Sequence, residues 1–183
     1  MTFRRWIYIA GGLFLAGLFL GTLLPAGAIA EELSIFDELA GDAASLSETG
    51  LLIFILISNF TAFLTAFFFS PLLLIVPAAS LLLNGAVISV VGQLVLEDQS
   101  IIFLIAGLVP HGIIEIPAYI LAMAAALSFG FAVLRGLFKP EYRGQVMPEA
   151  KTNLRRLGIA LTLLIPAALI ESFITPFFLG LVG

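Results

Sequence analysis

From Leu51 to Phe69 the chain runs nineteen residues without a charged side chain, and comparable apolar runs extend from Trp6 to Leu24, Leu72 to Gly92, Ile101 to Phe138 and Leu157 to Val182. Runs of that length leave few folds open. About twenty apolar residues cross a hydrocarbon core of roughly 30 Å as an α-helix. A transmembrane barrel needs alternating apolar and polar residues in segments of about ten, which unbroken runs contradict. With 61% hydrophobic residues, 11% charged residues and a mean hydropathy of +1.18, a soluble globular domain is excluded. The expectation is an all-α, polytopic helical membrane bundle forming one domain over residues 1–183. Its transmembrane helices are expected at about 6–24, 51–69, 72–92, 113–134 and 157–182.

Charge orients the spans. All eight basic residues fall in two places, Arg4 and Arg5 at the start, then Arg135, Lys139, Arg143, Lys151, Arg155 and Arg156 between two apolar runs. The positive-inside rule assigns both places to the cytoplasm. Acidic residues from Glu31 to Glu48, and Glu97 with Asp98, then mark the outer face. Five crossings satisfy every flank, with the N-terminus cytoplasmic, the C-terminus outside and residues 138–156 as a basic cytoplasmic loop. The first run is longer than the roughly 7–15 apolar residues of a secretory signal, so a retained helix is expected. Within it, Gly17 and Gly21 have the small-xxx-small spacing that lets a second helix approach closely. Over 31–46, Leu33, Phe36, Leu39, Ala43 and Leu46 recur at spacings of three and four, the pattern of an amphipathic helix at the outer interface.

The run Ile101 to Phe138 is too long for a single crossing, about 57 Å at helical rise. Its acidic and basic flanks demand an odd number of crossings, and three do not fit. The expected solution is a re-entrant segment at 101–109, a turn at Pro110-His111-Gly112, and a full crossing at 113–134, with Pro117 just inside it. Proline lacks an amide proton and glycine relaxes the backbone, so the helical ladder should break there.

Five polar side chains interrupt the apolar spans: Asn59, Asn84, His111, Glu115 and Glu171. A charged group near the bilayer centre costs roughly 2.5–3.5 kcal/mol on insertion scales, so such groups are expected to face one another or water. Counting helical rise from the span ends puts all five in the middle or outer half of the membrane, hence one buried polar cluster. His111 and Glu115, four apart, share a helix face wherever the helix continues. Such a pair is what a proton relay needs.

One histidine and two glutamates, His111, Glu115 and Glu171, could supply three metal ligands. His-x-x-x-Glu without a second histidine is a thin signature, so neither metal nor cofactor is expected. The chain has no cysteine, no paired aspartates and no His-Glu-x-x-His, so it is not expected to be an enzyme. It has neither a phosphate-binding glycine loop nor a nucleic-acid surface. Its expected partners are the lipid bilayer and other membrane proteins or a second copy of the chain.

Four separated stretches carry a family resemblance: Ser58-Asn59-Phe60-Thr61-Ala62, Leu82-Leu83-Asn84-Gly85, Pro110-His111-Gly112-Ile113-Ile114-Glu115-Ile116-Pro117-Ala118, and Ala167 through Glu171 to Pro176. They resemble the stage II sporulation protein M family, with the Pro-His-Gly-x-x-Glu element the most specific. The resemblance implies a multi-pass membrane protein with no established catalytic activity. The family's namesake works with a membrane anchor and a peptidoglycan-degrading partner during engulfment in endospore-forming bacteria, and similar proteins occur in non-sporulating bacteria and archaea. Two functions follow as expectations. One is a non-enzymatic component of a membrane complex. The other is a transporter or channel that passes protons, ions or a small solute along His111, Glu115 and Glu171.

Overall fold

The structure, a computed structural model, describes residues 2–24 and 47–182. The amphipathic helix expected at 31–46 lies outside the described residues. In chain order the elements are α1 (Phe3–Leu23), α2 (Glu48–Phe68), α3 (Ile75–Asp98), α4 (Ile101–Phe138), a 3-10 turn (Pro140–Tyr142), α5 (Arg143–Leu169), a π-helical turn (Ile170–Ile174) and α6 (Thr175–Val182). Helices α1 to α4, and the segment Pro140–Val182 taken as one, are long and apolar enough to cross a membrane. The described residues hold no strand. The protein is an all-helical membrane bundle.

Helix α4 is the axis of the bundle and packs against every other helix. From Ala122 to Ser128 all of its residues are buried, four of them alanines. Small side chains let neighbouring helices close in from every side, which is how helices associate where lipid is as apolar as the protein interior. Helices α1 and α3 run parallel and meet at glycine. Gly17 lies against the backbone of Leu82 and Gly21 against that of Ala86, while Gly85 lies against α1 between Phe14 and Leu18. A Cβ on Gly85 would stand 2.7 Å from the Leu18 amide nitrogen, and one on Gly21 2.7 Å from the Ser89 Cβ. The Gln93 amide donates across the same interface to the Gly21 carbonyl at 3.0 Å.

The α2–α3 connection is tight, and Leu73 and Leu74 take left-handed backbone angles with φ of 53° and 62°. Such angles cost a side-chain-bearing residue on the order of 1–3 kcal/mol. The cost is offset locally: Ser70 is buried and donates to the Phe67 carbonyl at 2.7 Å, and the Leu74 amide closes onto the Ser70 carbonyl at 3.1 Å. Gly130 of α4 sits beneath this turn, close enough that a Cβ would come 2.6 Å from Leu74. Helix α3 therefore starts at Ile75 rather than at Leu72.

The break expected at Pro110-His111-Gly112, with its re-entrant segment 101–109, is absent. Helix α4 continues from Ile101 to Phe138 with Pro110 and Pro117 inside it. Each proline removes one amide, so the carbonyls of Ala106 and Ile113 lose a helical donor. A true break would instead leave up to four N–H and four C=O groups unpaired at the two new ends. In hydrocarbon each unpaired group costs several kcal/mol, so the continuous helix is the cheaper solution.

The excess length of α4 is taken up beyond the bundle. Gly130 is level with the α2–α3 turn, so the last turns of α4 and the first turns of α5 project past it as an antiparallel pair. Residues 138–156, expected as a loop, are correspondingly a 3-10 turn followed by helix from Arg143. Asn153, Leu157, Ala160 and Leu164 are buried at spacings of four, three and four, one stripe that crosses from the basic stretch into the apolar one.

Candidate functional site

Helices α1 to α4 and the π-turn line an open-sided cavity of about 360 Å³. Asn59, Asn84, His111, Glu115 and Glu171 all line it, and so does Gly112; Pro110 and Pro117 do not. The continuity of α4 stacks His111 and Glu115 one turn apart on one face. Glu171 reaches them from the other side of the cavity. One ligand atom from each of His111, Glu115 and Glu171 lies within 4.8 Å of the other two. The Asn59 amide faces the Glu115 carboxyl from α2.

Glu171 owes its position to the π-turn. A π-turn carries one residue more than the α ladder and is frequent at functional sites, where it trades regular hydrogen bonding for the placement of a side chain. Pro176 has no amide to return to the turn, while the Thr175 hydroxyl and amide both donate to the Ile170 carbonyl, the hydroxyl at 3.3 Å. Next to Glu171, the Ser172 hydroxyl is buried with no hydrogen-bond partner. His111 Nδ1 is likewise buried and unpartnered. Most buried polar atoms in folded proteins do find partners, so an orphan nitrogen on His111, a residue that lines the cavity, is informative; Ser172 does not line it.

A second polar group adjoins the cavity and is hydrogen-bonded within itself. Asn84 donates to the Tyr119 hydroxyl at 2.9 Å and to the Ser80 carbonyl at 3.0 Å, and the Ser80 and Tyr119 hydroxyls share a hydrogen bond of 2.8 Å. The Tyr119 ring is held between Phe14 and Phe63, with centroids 6.1 and 5.8 Å away. A third group lies near the basic end. Buried Asn153 donates to Ser128 at 3.2 Å and accepts from Arg156 at 2.8 Å. Sequence reasoning missed Ser80, Tyr119, Ser128 and Asn153. The signal was there for Ser80, which precedes Asn84 by one helical turn, and for Tyr119, which follows Glu115 by one.

The three groups differ in kind. In the second and third, side chains meet each other at hydrogen-bonding distance. Among the described residues, no hydrogen bond joins His111, Glu115 and Glu171, which instead surround open volume. No arginine or lysine lines the cavity. The lining thus combines one imidazole and two carboxyls, groups whose chemistry is to carry protons or ligate a cation.

Fold and cavity together define an integral membrane protein whose helices gather one imidazole and two carboxyls at a single cavity. The match to known families is equally plain. The chain belongs to the Stage II sporulation protein M family, whose model matches residues 10–176, a range that includes every polar residue of the chamber. No curated protein and no solved structure is significantly similar to it.

Proposed function

We propose that this protein is a non-enzymatic component of the cell membrane that admits protons or a small cation to the chamber and passes them across. The proposal places the basic end in the cytoplasm, the N-terminus with it, and the C-terminus outside, as the positive-inside rule requires. One observation carries the reading: His111, Glu115 and Glu171 converge from two separate elements on unfilled space instead of bonding to each other. Polar residues kept only to fix packing are expected to satisfy one another directly, as Ser80, Asn84 and Tyr119 do. Ionisable residues held inside a membrane and turned toward a cavity mark ion or proton pathways.

Flux through proteoliposomes tests this. Wild-type vesicles under an imposed potential are expected to pass protons or a mono- or divalent cation. The double variant E115Q/E171Q is expected to abolish the flux while melting like the wild type. Wild-type vesicles tight to all of these ions would overturn the reading and leave the chain as a packing partner in a membrane complex.

A further inference from the structure

We propose that His111, Glu115 and Glu171 are the ligands of a divalent transition-metal ion, with Asn59 orienting Glu115 toward it. The proposal rests on the chamber reading above and names the cation that the chamber holds most tightly. Three donor atoms already lie within 4.8 Å of one another, with no arginine or lysine among the cavity's lining residues to compete for the carboxyls. Ligands bound at about 2.0–2.2 Å in tetrahedral geometry stand roughly 3.3–3.6 Å apart. Small side-chain rotations of long glutamates close that gap without moving a helix. Two carboxylates and a dication sum to zero charge, so the loaded site is neutral as a unit and suffers less from low dielectric surroundings than either partner alone.

The donor set selects among cations. Alkali ions, calcium and magnesium favour all-oxygen cages, and magnesium also keeps several waters. One imidazole with two carboxylates suits zinc, manganese, iron or cobalt instead, with remaining positions open to water. Two further observations point the same way. His111 Nδ1 is buried without a partner, and a metal on that ring nitrogen removes the deficit. The π-turn gives up regular helical bonding at the residue that supplies the third ligand. Asn59, facing the Glu115 carboxyl, completes the arrangement, since groups that orient a metal ligand are a regular part of such sites.

The test is equilibrium binding of Co²⁺ to the full chain in detergent, followed by its visible absorption, with Zn²⁺ as competitor. One Co²⁺ per chain, displaced by Zn²⁺, is expected. H111Q, E115Q and E171Q should each weaken binding by more than about 100-fold, and N59A by about 10- to 100-fold. N84A, at a residue that lines the same chamber but lies outside the ligand set, should change affinity by no more than a few-fold. Melting curves recorded alongside separate lost binding from lost fold. A folded wild type that takes up no stoichiometric Co²⁺, or a Co²⁺ signal that survives in E115Q/E171Q, would sink the proposal. Vesicles that pass protons while the protein binds no Co²⁺ remove the metal and keep the chamber reading. Stoichiometric Co²⁺ on a protein that passes no ion does the reverse.

Discussion

Tyr119 shows what a polar side chain contributes when it is held only for packing. Its ring keeps contact with Phe14 and Phe63, and its hydroxyl joins Ser80 and Asn84. Tyr119→Phe keeps the ring and removes the hydroxyl, leaving the Asn84 amide with one fewer acceptor. We expect a loss of about 0.5–2 kcal/mol, read as a lower melting temperature in detergent. Glu171 should behave oppositely. No hydrogen bond in the described structure depends on its carboxyl, and an ionisable group inside a bundle is a burden on stability rather than a support. Glu171→Gln is therefore expected to melt at or above the wild-type temperature while losing function, the pattern of a residue kept for activity at the expense of stability. A clearly lowered melting temperature would show that the carboxyl holds the bundle together. These two residues also show which side chains a sequence exposes to view. Glu171 stands out because hydrocarbon tolerates carboxyls poorly. Tyr119 does not, because an aromatic among aliphatics reads as ordinary filling until a partner on another helix is known.

At the scale of elements, local chemistry and tertiary cost pull apart. Pro110, His111 and Gly112 each disfavour regular helix, so a break is the natural reading of that stretch alone. What decides the outcome is the number of backbone groups that a break would strand in a low-dielectric setting, and this depends on burial that one sequence does not display. The basic stretch before Leu157 misleads for a related reason. Its charges and prolines look like a loop, and the stripe of Asn153, Leu157, Ala160 and Leu164 becomes visible only when the helix is carried across the hydropathy boundary. The π-turn was not legible at all, since nothing in Ile170–Ile174 distinguishes an extra residue from a regular turn. The α1–α3 contact was legible from Gly17 and Gly21, and it yields a clean prediction. Gly85→Val places a side chain onto the α1 backbone, where neither helix can yield, whereas Gly11 has nothing within 4 Å of a Cβ. We expect Gly85→Val to cost about 1–3 kcal/mol or more, and Gly11→Ala to leave the melting temperature unchanged or slightly raised. Equal effects would mean that the two helices do not meet at these glycines.

Across the whole molecule, the polar chemistry is divided between two ends. A bundle of membrane-spanning helices was readable from run length, because a bilayer admits only helices or closed barrels and the runs do not alternate, whereas the expected count of five crossings also needed the charged flanks. The charges then cluster as the runs require: Arg4, Arg5 and Arg156 meet at the end where α1 begins and α5 enters the bundle, with the Arg156 guanidinium 3.6 Å over the Phe3 ring. Arg135 caps the projecting part of α4 and lies 3.3 Å over Tyr142. Glu97 and Asp98 close α3 at the opposite end. Which end faces the cytoplasm can be measured directly, because the chain contains no cysteine. Single cysteines at Gln99, between α3 and α4, and at Gly144, in the projecting first turn of α5, report the two ends separately. Gly144 has open space around a Cβ, and neither residue takes part in a side-chain hydrogen bond with another described residue, so neither substitution should disturb the fold. With a membrane-impermeant maleimide on intact cells, Q99C should label at once and G144C only after permeabilisation. The reverse pattern would turn the bundle over, put the chamber in the cytoplasmic half of the membrane, and make the cell interior the source of the cation proposed for it.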